Sequence, residues 1–484
     1  MEPKKKFYIT TTLPYVNAAP HIGFALEIVQ ADIIARYHRE FLGEDVVFNT
    51  GTDEHGVKIY RKALEEKKDP HGYVDEYAAK FDFLKQGLNL SYTDFIRTTD
   101  PHHMTSAQEF WKRCMANGDI EKKLYKVKYC VGCELEKTDS ELTDGKCPIH
   151  PNLEIEEIEE ENYFFKFSKY QKLLLELYEK YPDFVTPDWR LKEIRNFVTA
   201  GLQDFSISRL KEKMPWGVPV PGDENHVMYV WFDALVNYIS TLGWFEDEKK
   251  FEDFWGTKEE PKAVQIAGKD NLRQQSAMWQ AMLMSAGLPP SRKILIHGFI
   301  ESGGQKMSKS LGNVVDPFDI IKEYGTDALR YWLAREISTF EDGDFTEERF
   351  KGAYNSGLAN GLGNLVSRVL TMAKNYSVTV KDEIKGQVAD DERYRDYMDR
   401  FDIQRATDVV WERIQIADKF IQEREPFKKI KTDPDAAKAD VKELLRSLFE
   451  IAYLLRPILP ETSEKIATAI ANFENIPVLF PRKV

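Results

Sequence analysis

Four short runs, mostly apolar or β-branched, constrain this chain most. They are Phe7-Tyr8-Ile9-Thr10-Thr11, Asp45-Val46-Val47-Phe48-Asn49-Thr50, Ala263-Val264-Gln265-Ile266-Ala267 and Ile294-Leu295-Ile296-His297. Runs without polar alternation are buried on both faces, which is the habit of parallel strands covered by helices. Between them the spacing turns helical: Ala25, Ile28, Val29, Ile33, Ile34 and Tyr37 recur on one face from about Gly23 to Phe41. The pattern predicts an α/β chain built on a doubly wound parallel sheet, with ligands beyond the carboxyl ends of the strands.

Two loop segments carry phosphate chemistry. Pro20-His21-Ile22-Gly23 lies at a strand-to-helix turn, where free N–H groups and the helix dipole attract anions and glycine permits close approach. Taken alone, such a histidine is as well explained by helix capping. Far downstream, Ser302-Gly303-Gly304-Gln305 introduces Lys306-Met307-Ser308-Lys309-Ser310. Two lysines three apart, interleaved with hydroxyls, make a cationic loop that can neutralise charge developing on a polyphosphate.

Residues 115–225 differ in character. Cys130-Val131-Gly132-Cys133 and Cys147-Pro148-Ile149-His150 are two pairs, each with two intervening residues. That spacing lets one tight turn offer two ligands to one ion, and three thiolates with an imidazole suit a closed, structural, tetrahedral zinc site. A redox-active Cys-x-x-Cys pair is the competing reading. Cys114, on an apparent helix beside Trp111, is expected in the core. The acidic run from Glu154 to Glu161 is expected to be a solvated surface.

Farther on, Trp231, Ala234 and Tyr238 share a helical spacing, either as core packing or as a pocket wall. From about residue 350 the apolar positions keep helical spacing with few strand signals, which predicts a helix bundle. In it Asn364 and Arg368 are four apart on one face. The net charge of −13 is unfavourable for a nucleic-acid partner, but residues 351–484 carry 22 Lys and Arg against 21 Asp and Glu. Charge thus permits a nucleic-acid-binding patch there. The chain's 484 residues imply several domains, four cysteines make no disulfide framework, and no run reaches membrane-spanning length. The basic start, Met1-Glu2-Pro3-Lys4-Lys5-Lys6, lacks a signal's apolar segment, so cytoplasmic residence is expected.

The His21–Gly23 turn and the lysine loop together resemble the paired nucleotide-binding motifs of class I aminoacyl-tRNA synthetases, and the remaining detail is most similar to the methionyl branch. The resemblance implies a Rossmann-type sheet split by a zinc-bearing connective insert and followed by an all-α anticodon-binding bundle. It implies ATP, magnesium and one structural zinc ion as cofactors, with L-methionine and methionine tRNA as partners. ATP contacts would come from Pro20, His21, Gly23, Gly268, Asp270, Lys306, Ser308 and Lys309, with His21, Lys306 and Lys309 acting on the triphosphate. Methionine would meet Leu13, Tyr15, Asp53, Trp231, Ala234, Tyr238, Gln275 and Trp279, Asp53 holding its ammonium. Zinc would sit on Cys130, Cys133, Cys147 and His150, and Asn364, Arg368 and Phe427 would read the anticodon.

Three positions depart from that family's pattern. Phe24 stands where a second histidine is usual, Gln275 where a pocket histidine is common, and Phe427 where tryptophan is common. The expected boundaries are 1–115 and 226–295 for the two halves of the catalytic domain and 116–225 for the insert. Residues 296–350 would form the lysine loop and linker, and 351–484 the anticodon domain. A monomer is expected. Competing readings are a small-molecule nucleotidyltransferase, a synthetase for another small apolar amino acid, and a catalytically impaired tRNA-binding relative.

Overall fold

The computed structural model describes residues 4–133, 135–137, 141–307, 312–384, 387, 389–472, 476 and 478–483. The chain divides into two compact units. One comprises Met1–Pro20, Asp45–Phe83 and Tyr92–Ile296, and the other His21–Glu44, Leu84–Ser91 and His297–Val484.

The first unit is built on a six-stranded sheet. Its strands are β1 (Lys6–Thr10), β2 (Asp45–Thr52), β3 (Asp94–Arg97), β4 (Val185–Thr186), β5 (Val264–Gly268) and β6 (Lys293–His297). Their order is β3-β2-β1-β5-β6-β4. The pairings β1 with β2, β2 with β3, β1 with β5 and β6 with β4 are all parallel, with Phe7 opposite Val46 and Ile9 opposite Val264. The four apolar runs are therefore strands, shifted by one or two residues at their ends. The edge strand β4 was not expected. It is two residues long, too short for any periodicity to register.

The region 115–225 contains a second, mostly antiparallel sheet. It runs Leu135–Lys137, Ile120–Cys130, Glu156–Phe165, Phe205–Ser206 in order across the sheet. The acidic run is thus a strand, not merely solvated surface. Its partner is lysine-rich: Glu157 faces Lys128 and Glu159 faces Lys126, and Lys122 reaches Glu161 at 3.4 Å. Opposite charges across a ladder offset the poor strand propensity of glutamate.

The second unit is helical. Ile22–Glu40 is capped by His21 and buried along most of its length, including Asp32. Asp32 meets Arg330 at 2.8 Å, both fully buried, and Arg330 also donates to the carbonyls of Leu88, Pro457 and Ile458 at 2.8–3.0 Å. Burial alone would raise the Asp32 carboxyl, but Arg330 and Arg36 hold it below its ordinary value. Beyond residue 350 the helices Asn364–Asn375, Ile403–Arg424, Pro434–Leu454 and Pro460–Ala471 form the expected bundle. Asp402 and Asp433 cap two of them by accepting from the N–H groups of Arg405 and Ala436. No helix among the described residues is long and apolar enough to cross a membrane.

Candidate active site

In the first unit Leu13, Tyr15, Asp53, Gly268 and Asp270 lie at or just past the carboxyl ends of β1, β2 and β5. Leu13-Pro14-Tyr15 follows β1 and pairs with the residue after β2: the Asp53 N–H donates to Pro14 at 3.0 Å, and Val16 donates to the Asp53 carbonyl at 3.2 Å. Asp53 is buried and caps no helix, because the next one, Val57–Glu65, begins after Gly56. Gly268 ends β5, and Asp270 stands exposed just past it, accepting from the Asn271 side chain at 3.2 Å.

The aromatic wall comes from two short helices, Val230–Ala234 and Asn237–Ser240, rather than one continuous helix. Trp231 and Tyr15 both pack against the buried cluster of Tyr129, Tyr229 and Val230. Tyr238 is buried, its carbonyl accepts from the Tyr8 hydroxyl at 2.7 Å, and its ring lies 5.9 Å from Trp279, edge-on. Trp279 in turn stacks on Phe110 at 5.5 Å. Gln275 donates through Nε2 to the Tyr238 hydroxyl at 2.6 Å. Tyr238, with Gln275 and Trp279 on it, therefore forms one contact group, and Tyr15 bridged to Asp53 another.

A buried ion cluster ties the Asp53 loop to the aromatic wall. His55 Nδ1 lies 2.6 Å from one oxygen of Asp233, and His103 Nε2 lies 2.8 Å from the other. His103 Nδ1 is 3.0 Å from the Ser240 hydroxyl. Burial pushes the Asp233 carboxyl up, but the two histidines more than offset this and lower it to about 2. Sequence reasoning missed this cluster. Its one local sign was a lone acid, Asp233, within an aromatic helix.

The metal candidates converge. The ligand atoms of Cys130, Cys133, Cys147 and His150 all lie within 4.8 Å of one another. Cys133 Sγ is 3.4 Å from Cys147 Sγ and 3.2 Å from His150 Nδ1, and Cys130 Sγ is 3.8 Å from His150 Nδ1. A zinc tetrahedron has S–S and S–N edges of about 3.8 and 3.6 Å. The four donors fit that ion, with every corner taken by the protein. Cys114 is separate, fully buried on the helix Pro101–Ala116, and burial pushes its thiol up to about 12.

In the second unit the His21 turn lies beside Met307. His21 Nδ1 accepts from the Gly23 N–H at 3.1 Å, so the neutral ring carries its proton on Nε2. A side chain at Gly23 would put its Cβ 2.9 Å from the His21 ring, which glycine avoids. The same position lies 3.9 Å from the Met307 methyl, and the Ile22 N–H donates to the Val315 carbonyl at 3.0 Å. The segments on both sides of the loop thus flank the turn. Ile300–Ser302 pairs in parallel with Gly343–Phe345, and Gly303 and Gly304 adopt φ of 63° and 72° before Lys306, which is exposed. Ser308 and Lys309 lie outside the described residues. The buried pair His297 and Glu27, 2.9 Å apart, was also not foreseen.

In the bundle, Asn364 is exposed at the start of its helix. One turn on, Arg368 bonds Asp418 at 2.9 Å. Asp418 belongs to the helix that ends at Arg424, and Phe427 follows it, 44% exposed. Phe427 lies on the short helix Pro426–Lys429.

Comparison with known proteins agrees with this arrangement. The family described as tRNA synthetases class I (M) matches residues 7–154 and 141–370, and the anticodon binding domain of methionyl tRNA ligase matches 374–478. A methionine–tRNA ligase of Thermotoga maritima is 41% identical over 98% of this chain and 76% of its own length. One from a Nostoc species is 42% identical over 96% and 89%. The structure of Mycobacterium tuberculosis methionyl-tRNA synthetase in complex with methionyl-adenylate superposes with a TM-score of 0.87, at 32% identity and 99% coverage of both chains. With catalytic and anticodon-binding segments both matched in order, the chain belongs to the methionyl branch of the class I tRNA synthetases.

Proposed function

We infer that the chain joins L-methionine to methionine tRNA at the expense of ATP. The observation that carries this reading is the tandem family match, residues 7–370 followed by 374–478, over a fold that packs Tyr238 against Trp279 and sets Met307 beside the His21–Gly23 turn. The methionine carboxylate attacks the α-phosphorus of ATP, the bond to the β-phosphate oxygen breaks, and pyrophosphate leaves. A ribose hydroxyl of the tRNA's terminal adenosine then attacks the activated carbonyl, and AMP departs. The substrate brings its own nucleophile, so the protein orients groups and stabilises charge.

The residue roles follow the chemistry of each group. Asp53 holds the substrate ammonium, while Leu13, Tyr15, Trp231, Ala234, Tyr238, Gln275 and Trp279 hold the thioether, a polarizable group suited to aromatic neighbours. His21 donates from Nε2 to the triphosphate beside Gly23 and Pro20. Lys306, Ser308 and Lys309 neutralise it as pyrophosphate forms, and Gly268 and Asp270 take the ribose. Magnesium, when bound, screens the phosphate charge. Cys130, Cys133, Cys147 and His150 would hold one zinc ion, whose contribution would be structural. Asn364, Arg368 and Phe427 meet the anticodon. The reading carries with it a monomer working in the cytoplasm.

The test is ATP–pyrophosphate exchange run with methionine, leucine, isoleucine and valine in turn. Exchange that requires methionine is the expected result, and exchange without any amino acid, or none at all, overturns the reading. In the same assay Lys309→Ala should slow adenylate formation by about 10²–10³-fold while methionine affinity stays within about twofold. Equal loss in both would remove Lys309 from its role.

A further inference from the structure

The second unit holds a cavity of about 220 Å³ that no step described so far uses. The π-helical turn Trp332–Glu336 and the helices Glu392–Asp399 and Ile403–Arg424 all contribute to its wall. Three guanidinium groups line it, those of Arg335, Arg393 and Arg405, against the two carboxylates of Asp408 and Glu412. One positive charge is left over, so the cavity favours an anion.

The cationic groups are held in place with donors to spare. Arg335 donates through Nε to Asp408 at 3.1 Å and through Nη1 to the Tyr331 hydroxyl at 2.9 Å. Its guanidinium lies 5.2 Å from the Trp411 ring centroid. Trp411 is 4% exposed and is fixed in turn by donating to the Gly357 carbonyl at 3.2 Å. A Cβ at Gly357 would fall 2.0 Å from the Tyr331 oxygen, so a glycine is what lets Tyr331 and Trp411 close up. Nη2 of Arg335 makes no bond among the described residues and keeps two N–H groups to give. Arg393 is bidentate on Glu412 at 2.8 and 3.3 Å, but the side chains are 60% and 49% exposed, and such a pair yields to a stronger anion. Arg405 gives its backbone N–H to Asp402 and acts on that carboxylate through space. Its guanidinium makes no hydrogen bond or ion pair among the described residues.

Size and place identify the ligand. Pockets for whole small molecules run to roughly 300–1,000 Å³, so this smaller one suits a single charged group of a larger partner. Asp408, Trp411, Gln415 and Asp418 are spaced three, four and three apart on the helix Ile403–Arg424 and share a face. Asp418 is the residue that Arg368 bonds at 2.9 Å. The helix rises about 15 Å from Asp408 to Asp418, a span that a polynucleotide strand covers in about four nucleotides. We propose that this cavity takes a backbone phosphate of the bound tRNA, on Arg405 with Arg335 and Arg393, about four nucleotides from the base that Arg368 meets. This rests on the reading that Arg368 and Phe427 touch the anticodon. A phosphate contact sets the register of the strand and carries no sequence information.

The test is filter binding of methionine tRNA to the full chain between about 50 and 200 mM salt. At the low-salt end Arg405→Ala should weaken binding about three- to tenfold. The slope of log affinity against log salt should shrink by about 0.7–0.9, the value of one phosphate contact. Arg405→Lys, which keeps the charge, should recover most of that slope. The melting temperature and pyrophosphate exchange, which needs no tRNA, should match the wild type in both. An unchanged salt slope in Arg405→Ala overturns the proposal, whether or not affinity falls. A second tRNA with an altered anticodon should lose affinity by the same factor. A loss confined to the methionine anticodon would make Arg405 a base reader and also overturn the proposal. Phe427→Ala separates the two levels of the argument. If the affinity ratio between the two tRNAs survives that substitution, the anticodon assignment fails. If the ratio collapses while Arg405→Ala leaves the salt slope as it was, the assignment stands and the phosphate site fails.

Discussion

Asp233 accepts from two histidines, 178 and 130 positions away in sequence, and none of the three is exposed beyond 4% at its side chain. A buried carboxylate with partners on both oxygens is costly to disturb, because removing its charge strands both imidazoles. Asp233→Asn should lower stability by about 3 kcal/mol in urea titration, and a loss below about 1 kcal/mol would show that the cluster is not integral. The folded carboxyl lies at about 2 against an ordinary 3.8, so its contribution is complete above pH 4 and is lost as pH falls toward 2. That contribution is on the order of 2 kcal/mol. Wild type should lose this increment over that interval, and Asp233→Asn should not. Such a cluster is illegible in the chain, since nothing local pairs Asp233 with His55 or His103. By contrast, the His21–Gly23 turn and the glycines before Lys306 were legible, because strand, break and helix follow one another within a few residues.

Among elements, the cysteine–histidine set makes the clearest case for local legibility: two pairs, each with two intervening residues, pointed to all four donors by spacing, and their ligand atoms lie within 4.8 Å of one another. Native mass spectrometry should find one zinc per chain, and Cys133→Ser should retain less than about a tenth of it. A full complement in that variant would exclude Cys133 as a ligand. Because Tyr129 and Val131 pack with Tyr15, Tyr229 and Trp231, metal loss should also raise KM for methionine. The strands were harder to read. The acidic Glu156–Phe165 has the composition of a solvated surface and becomes a strand only against its lysine-rich partner. The aromatic helix expected through Trp231 and Tyr238 is broken at Leu235 and Val236, yet both side chains remain buried or half-buried. In the second unit, Arg330→Ala should cost about 3–5 kcal/mol by breaking a fully buried ion pair, Asp32 then keeping only Arg36 and Ser91 as partners. The double variant Arg330→Met with Asp32→Leu should recover most of it, and no recovery would mean that the carbonyl contacts of Arg330 matter more than the ion pair.

For the whole molecule, adenylate formation and anticodon reading are assigned to separate segments, and they should separate in experiment. Phe427→Ala and Arg368→Ala should each reduce tRNA charging kcat/KM by about 5–150-fold, the range for one lost base-stacking contact, with pyrophosphate exchange unchanged. Parallel loss of both activities would point to misfolding rather than RNA contact. The helix-bundle character of this region was legible from periodicity, and the parallel sheet from its apolar runs. What the sequence concealed is that Ile22–Glu40, lying between two strands of the sheet, belongs by its contacts with residues 84–91 and 297–484.

The Arg330 tie has a consequence for synthesis on the ribosome. The carboxylate of Asp32 emerges with Arg36 close behind it, but Arg330 and then the carbonyls of Pro457 and Ile458 follow hundreds of residues later. At roughly 5–20 residues per second the nascent helix waits on the order of tens of seconds before it can be sealed. During that interval its apolar face, from Ile22 to Tyr37, is a natural client surface for a chaperone.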